Sequence, residues 1–128
     1  MQKTIKLVRF ASKEAFKQLR DRGPIFCPEI KNSFLVTNLF LRHISGNATK
    51  RSSEEIIRRL SCMSLLENIA RKGRLVEERV DVIIEGKRKF LKSFKINYSI
   101  SNMDFYIVLG EKQDNKIILI SVFLNFRE

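Results

Sequence analysis

The sequence of 128 residues has little of what several protein classes require: it contains no tryptophan, two cysteines, two prolines and five glycines. Two cysteines are too few for the disulfide framework of a small secreted domain, and so little glycine and proline excludes collagen-like and low-complexity chains. No apolar run approaches the ~18 residues that cross a bilayer. The first ten residues, MQKTIKLVRF, lack the apolar stretch of a signal peptide. We therefore expect a single soluble domain over residues 1–128, located in the cytoplasm and without a membrane partner.

Positive charge is what the sequence has in excess. Lysine and arginine number 25 against 14 aspartates and glutamates, which gives a net charge of +11 and a pI near 10.1. Residues 1–74 hold 16 basic and 6 acidic residues, a net charge of +10, whereas residues 75–128 hold 9 and 8, a net charge of +1. Such a surplus attracts polyanions, of which nucleic acid is the commonest. The alternative is a surface that only keeps the protein soluble.

The spacing of apolar residues predicts an α+β fold, with N-terminal helices packed on an antiparallel meander of about four strands. Helical spacing predicts helices over residues 13–22 and 54–72, ended by Gly23-Pro24 and by Gly73. The segment IFCPEI is at best an edge strand. Residues 32–43 fit a short helix or a strand. Alternating and continuous apolar patterns predict strands over residues 75–84, 89–100, 104–110 and 116–126, of which the last two have the apolar character of central strands.

One predicted strand has a specific face pattern. In residues 89–100 the apolar side chains alternate, which places five of them on one face: Phe90, Phe94, Ile96, Tyr98 and Ile100. Tyr98 and Tyr106 are weaker candidates for stacking on a nucleobase, because core packing is the commoner use of an aromatic residue on a sheet.

The only histidine, His43, is the main candidate for proton transfer, because histidine alone titrates near neutral pH without perturbation. Lys50 and Arg51 follow closely and are suited to holding a phosphate. Ser121 interrupts the apolar run of the last strand, where a hydroxyl must be satisfied by hydrogen bonds or serve a site. Arg42 and Arg58 lie beside these residues in the sequence and are further candidates for contacting RNA. A packing role for His43, and a serine bonded to neighbouring backbone, are the structural alternatives.

Other chemistries have weaker support in the sequence. Cys27 and Cys62 with one histidine give no zinc spacing, and phosphate-binding glycine motifs are missing. The acidic residues do not cluster as a two-metal nuclease requires. We therefore expect neither a metal nor a cofactor. A cysteine nucleophile paired with His43 is a further possibility, although Cys62 falls near the buried face of its predicted helix.

The order of these residues resembles the phage-associated branch of the barnase–EndoU–colicin–RelE-like nuclease superfamily. The resemblance runs from about residue 36 to 126, through LRHISGNATKRSSEEIIRRLSCMSLLENIARKG, then EERVDVII, FYIVLG and IILISVF. It treats residues 1–35 as an N-terminal extension. It implies a small metal-independent endoribonuclease of toxin or effector type. Its catalytic residues would be His43, Arg51 and Ser121, with phosphate contacts from Lys50 and Arg51 and a supporting role for Ser121. It also implies action in the cytoplasm of a target cell.

Two functions follow from the sequence. The first is an endoribonuclease that cleaves RNA by attack of the 2′-hydroxyl on the adjacent phosphate. The resemblance makes transfer RNA one candidate substrate. An acidic immunity or antitoxin protein would then be a second partner. The second is a basic RNA- or DNA-binding module of the same fold without catalysis. A domain that docks to an acidic protein is a third and weaker hypothesis.

Overall fold

The computed structural model of the protein describes residue 14 and residues 17–37, 62–84 and 88–127. These residues form the predicted α+β fold, in which short helices and a hairpin precede a four-stranded antiparallel sheet. Residues 17–22 are helical. The remaining elements are β1 (Ile25–Cys27), a 3-10 helix (Pro28–Ile30), β2 (Asn32–Phe34), a second 3-10 helix (Cys62–Leu65), α1 (Leu66–Lys72), β3 (Arg74–Ile84), β4 (Arg88–Ile100), β5 (Met103–Glu111) and β6 (Ile117–Phe126). None of the helices found in these ranges has the length and apolar character needed to cross a membrane.

The main sheet is a meander in the order β3–β4–β5–β6, each strand antiparallel to the next. Strands β4 and β5 are joined by the predicted two-residue turn at Ser101 and Asn102, where Ser101 has a left-handed φ of 55°. Strands β5 and β6 are joined by a loop that Asn115 closes, with a φ of 67° and a backbone hydrogen bond of 2.9 Å to Lys112. The predicted turn at residues 85–87 lies outside the described residues. Short connections of this kind favour antiparallel neighbours, as observed.

One face of the sheet, called the inner face below, is covered by α1. The helix buries Leu66, Ile69 and Ala70 completely. These side chains belong to one apolar cluster with alternate residues of the strands, among them Phe94, Ile96, Phe105, Ile107, Leu109, Leu119 and Val122. Because each fully buried aliphatic side chain contributes about 1.5–3 kcal/mol, this cluster is the main source of stability.

The end of α1 is set by a close approach of two backbones. The helix ends at Lys72 and Gly73 follows, as predicted, but Gly73 has an extended backbone with a φ of −74° rather than a left-handed cap. A Cβ atom there would lie 2.6 Å from Cγ2 of Ile96 and 2.9 Å from the carbonyl oxygen of Asn97. The nearest atom to such a Cβ would be the carbonyl oxygen of Ile69 in the last turn of α1. Gly73 is therefore required because it lies between the end of α1 and β4.

The sequence leaves open whether residues 32–43 form a helix or a strand, and the β1–β2 hairpin decides this for the first residues of that range, which the structure describes. Asn32–Phe34 form a strand, so a helix starting at Asn32 or Ser33 is wrong. Leu35 then bridges Ile118 in parallel orientation, with hydrogen bonds of 2.9 Å to residues 117 and 119. Strand β6 is the last strand of the meander rather than a central one, and this bridge protects part of its edge.

Candidate nucleic-acid interface

Most of the predicted site residues lie outside the described residues: His43, Arg51, Lys50, Arg42 and Arg58. Ser121 is described. It belongs to β6 and is 6% exposed. Strands β3, β4 and β5 pair in sequence beside β6 and carry the residues that surround Ser121.

The outer face of the sheet is the side opposite α1, and it carries two cross-strand rows because residues paired in register share a face. The Lys95 row crosses all four strands: Glu77, Lys95, Val108 and Ser121. The Tyr106 row lies beside it and also crosses all four strands: Arg74, Asn97, Tyr106 and Phe123. Cations thus lie on β3 and β4, and aromatic rings lie on β5 and β6.

A cation and two aromatic rings form the centre of this face. The rings of Tyr106 and Phe123 are stacked, with centroids 4.9 Å apart and planes inclined by 19°. The Nζ atom of Lys95 lies 4.9 Å from the Tyr106 centroid and 5.5 Å from the Phe123 centroid. All three side chains are half-exposed. Each aromatic and cation–π contact of this type contributes about 0.5–1.5 kcal/mol, so the cluster is held together while it faces solvent.

The charges beside this cluster are arranged in favour of an anion. Glu77 is the acidic residue of the Lys95 row, and its carboxylate accepts a hydrogen bond from Nε of Arg79. Arg74, at the β3 end of the Tyr106 row, is exposed. The carboxylate nearest in register to Lys95 is thus partly neutralised by Arg79, while Lys95 presents positive charge at the rings and Arg74 adds a cation at the β3 end of the row.

Ser121 lies where the exposed and buried parts of the outer face meet. It is paired with Val108 and shares its face with Phe123, two residues further along β6. A register shift at this point of the β5–β6 pairing places an extra residue, Ile120, in β6. The bulge turns Ile120 and Ser121 toward the outer face. The buried hydroxyl that the sequence singled out therefore borders the aromatic pair.

The other end of the outer face is apolar. Phe90, Ile118 and Ile120 form a second buried cluster, against which Val82 and Val108 pack. The expectation that Phe90 lies on the same face as Phe94 and Ile96 is therefore wrong. Ile100, which belongs to the same predicted set, is 46% exposed. The pairing of β3 with β4 skips Asp81, whose φ is 51°, and this irregularity accompanies the change of face near Phe90.

The two tyrosines lie on opposite faces. Tyr98 packs against the inner-face cluster and stacks on Phe105 with centroids 6.4 Å apart, so its interpretation as a core aromatic is confirmed. Tyr106 is on the outer face. Of the two, only Tyr106 retains the role of a stacking candidate.

The two cysteines are poor nucleophiles. Cys27 is 0% exposed and Cys62 1% exposed. Burial raises the pKa of the Cys27 thiol, against the opposing effect of hydrogen bonds from the backbone of Ile30 and Glu29. Because the thiolate is the reactive form, a buried thiol with a raised pKa is unsuited to catalysis.

Sequence reasoning missed Lys95 and Phe123. The two-residue turn at 101–102 carries the signal for Lys95, because it sets the register that pairs Asn97 with Tyr106 and Lys95 with Val108. Phe123 could not be placed in the same way, since its register depends on the bulge at Ile120.

Comparison with known proteins adds no relative. No protein-family model matches the chain. Searches of curated proteins and of solved structures give no match either. The family resemblance therefore stays a prediction.

Proposed function

We propose that this protein binds single-stranded RNA across the Tyr106 row of its outer face and cleaves it without a metal ion. The observation that carries the proposal is the ammonium of Lys95 above the stacked rings of Tyr106 and Phe123, with Arg74 in the same row. Aromatic rings on a sheet stack on unpaired bases, and neighbouring cations contact the phosphates that join them.

Lys95 has two roles in this proposal. In the unbound protein its ammonium lies over the rings that a base would use. When a strand binds, the flexible lysine side chain moves to a phosphate and leaves the ring faces to the bases. The charge that stabilises the unbound cluster then contributes to affinity for the polyanion.

The proposed cleavage depends on His43 as the base that removes the proton of a 2′-hydroxyl. The resulting oxygen attacks the adjacent phosphorus, the bond to the 5′-oxygen breaks, and that oxygen takes up a proton as it leaves. The products are a 2′,3′-cyclic phosphate and a 5′-hydroxyl end. Lys50 and Arg51 would stabilise the negative charge that builds on the phosphoryl oxygens, and Ser121, on the same face of β6 as Phe123, is proposed as a supporting residue.

Cleavage is tested by incubating the purified protein with transfer RNA in excess chelator. We expect cleavage to persist, and His43→Ala to slow it by ~10²–10⁴-fold, as removal of a general base does. Circular dichroism and thermal unfolding check that the variant is folded. Undiminished cleavage by His43→Ala contradicts the assignment of the base, whereas RNA that is bound but left intact by the unmodified protein indicates the non-catalytic binding module.

Binding is tested separately, in the His43→Ala background, with a labelled single-stranded RNA. We expect Tyr106→Leu to weaken affinity by about tenfold, because stacking of a base on an aromatic ring contributes about 1–3 kcal/mol. Phe26→Leu is the matched control: Phe26 is 58% exposed but belongs to β1, away from the outer face.

A second pair of variants tests the cation. We expect Lys95→Gln to reduce the slope of log affinity against log salt concentration by about 1, the loss of one phosphate contact. Lys92→Gln is the control. Lys92 is on the same strand but faces the opposite side of the sheet from Lys95, and its Nζ atom lies 4.0 Å from Oε1 of Glu78. Equal effects of the two lysine variants would reject the outer face as the binding surface. No RNA binding at low salt would reject both binding and cleavage.

A further inference from the structure

A cleft of about 360 Å³ opens beside the Tyr106 row, lined by Lys72, Arg74, Asn97, Tyr98 and Ser99. It lies at a step in the sheet. Strand β3 begins at Arg74, opposite Asn97, while β4 continues to Ile100. The last residues of β4 therefore form one wall, and the segment that joins α1 to β3 forms the other.

The basic wall is anchored. Lys72 and Arg74 flank Gly73, whose amide donates a hydrogen bond of 2.9 Å to Ile69 and whose backbone packs directly on Ile96 and Asn97. The backbone that carries both cations is thus fixed against β4. Binding of an anion between Lys72 and Arg74 would therefore not carry the entropic cost of ordering this backbone.

The polar wall is also fixed by hydrogen bonds. Asn97 donates to the carbonyl oxygen of Phe105 over 3.3 Å, and Ser99 Oγ lies 3.1 Å from Asn97 Oδ1 and 2.5 Å from Asp104 Oδ1. The nearby carboxylate of Asp104 is 3.3 Å from Nε of Arg127. Because Asp104 has these two partners, its charge is partly compensated, and the cleft presents Lys72 and Arg74 as its charged groups.

We propose that this cleft is a phosphate subsite for a nucleotide of the bound RNA, a proposal that rests on the function proposed above. Arginine can hold two phosphate oxygens with its planar fork, and lysine adds a point charge. Arg74 is in the same row as Tyr106 and two strands away, about 10 Å by the usual strand spacing. A short oligonucleotide can therefore stack a base on the aromatic pair and place a phosphate in the cleft.

The test uses adenosine 5′-monophosphate, adenosine and inorganic phosphate with protein labelled with fluorotyrosine. The chain has two tyrosines, so fluorine NMR gives one signal from the cleft (Tyr98) and one from the aromatic pair (Tyr106), assigned with Tyr→Phe variants. We expect the monophosphate to shift the Tyr98 signal in a saturable way and adenosine to bind at least about tenfold more weakly, as expected for loss of charge-assisted hydrogen bonds. Competition by inorganic phosphate alone would identify the phosphate, rather than the whole nucleotide, as the group recognised.

The variant Lys72→Gln/Arg74→Gln should weaken binding of the monophosphate by about tenfold or more. The matched control, Lys112→Gln/Lys116→Gln, removes the same charge from the exposed β5–β6 loop and should change binding by less than about twofold. Equal affinity for adenosine and its monophosphate, or equal losses in the two double variants, would overturn the subsite.

The subsite and the proposed function can fail independently. Tyr106→Leu should still bind the monophosphate in the cleft although it binds RNA weakly. A Tyr98 response to the monophosphate in a protein that does not bind RNA would support the subsite and reject RNA binding. RNA binding without a response of Tyr98 to the monophosphate would reject the subsite alone.

Discussion

The two faces of the sheet are built from the same strands but differ in burial and composition. Along β5, Phe105, Ile107 and Leu109 point inward and are almost fully buried, whereas Tyr106 and Val108 point outward and are half-exposed. The inner face is continuous with α1 and holds the fold together. The outer face changes from apolar at Phe90 to cationic and aromatic at the Tyr106 row. Because strand side chains alternate between the faces, substitutions of adjacent residues should affect the stability of the inner face and the proposed binding at the outer face separately.

The largest expected effect is the loss of an inner-face side chain. We expect Ile107→Ala to lower the free energy of unfolding by about 2–5 kcal/mol, because Ile107 is fully buried and its removal leaves a cavity. Its outer-face neighbour Tyr106→Leu should cost about 1–2 kcal/mol, the stacking and cation–π contacts. Urea unfolding measures both. A loss for Tyr106→Leu as large as that for Ile107→Ala would contradict the division between the faces.

The next effect concerns Gly73. We expect Gly73→Ala to destabilise the protein by about 1–3 kcal/mol, since its Cβ would meet the Asn97 carbonyl oxygen and the Ile96 side chain. The variant should also weaken binding of adenosine monophosphate in the cleft, because Lys72 and Arg74 flank the displaced backbone.

Gly110 on the outer face provides the matched comparison. A Cβ there would lie 2.5 Å from Cδ1 of Ile120 and 2.7 Å from Cδ1 of Phe90, which are side-chain atoms of the second buried cluster rather than backbone atoms. We expect Gly110→Ala to cost about 1–2 kcal/mol, less than Gly73→Ala, because side chains can adjust more readily than backbone. Thermal unfolding of the two glycine variants side by side checks the order, and a reversed order would contradict the packing described for α1 and β4.

Much of the fold was predictable from the sequence, because alternation of apolar residues is a local signal. The strands of the sheet, the turn at 101–102 and the end of α1 at Lys72 follow from it. The β1–β2 hairpin was ambiguous because FLVTNLFL fits either a strand or a helix, and tertiary pairing of Leu35 with Ile118 decided in favour of the strand. The facing of Phe90 depends on an irregular pairing near Asp81 that no local pattern shows.

Less of the candidate site was predictable. The sequence singled out Ser121 and Tyr106 as unusual residues, and the structure places both on the outer face. The sequence could not indicate that Lys95 and Phe123 lie on the same face beside these two residues, because their positions depend on the register between strands and on the bulge at Ile120. The proposed catalytic assignment of His43, Lys50 and Arg51 remains a prediction from the sequence.

The smallest expected effect is a pH dependence from the buried thiol of Cys27. Because burial raises its pKa in the folded state, the folded thiol stays protonated while the unfolded thiol ionises above ~8.5. The stabilisation is therefore complete below that pH and is lost as the pH rises further. We expect the stability difference between the unmodified protein and Cys27→Ala to shrink by less than about 1 kcal/mol from pH 8 to 9.5 under reducing conditions. A constant difference across this range would contradict the raised pKa.

The claim that the outer face binds RNA is tested most directly by the fluorotyrosine signal of Tyr106 during titration with single-stranded RNA, in the His43→Ala background so that the strand stays intact. We expect a saturable shift of the Tyr106 signal with the same affinity as RNA binding measured by fluorescence anisotropy, and a midpoint that moves to higher RNA concentration as salt is added. A Tyr106 signal that does not move when anisotropy shows the protein saturated with RNA would reject the outer face as the RNA-binding surface.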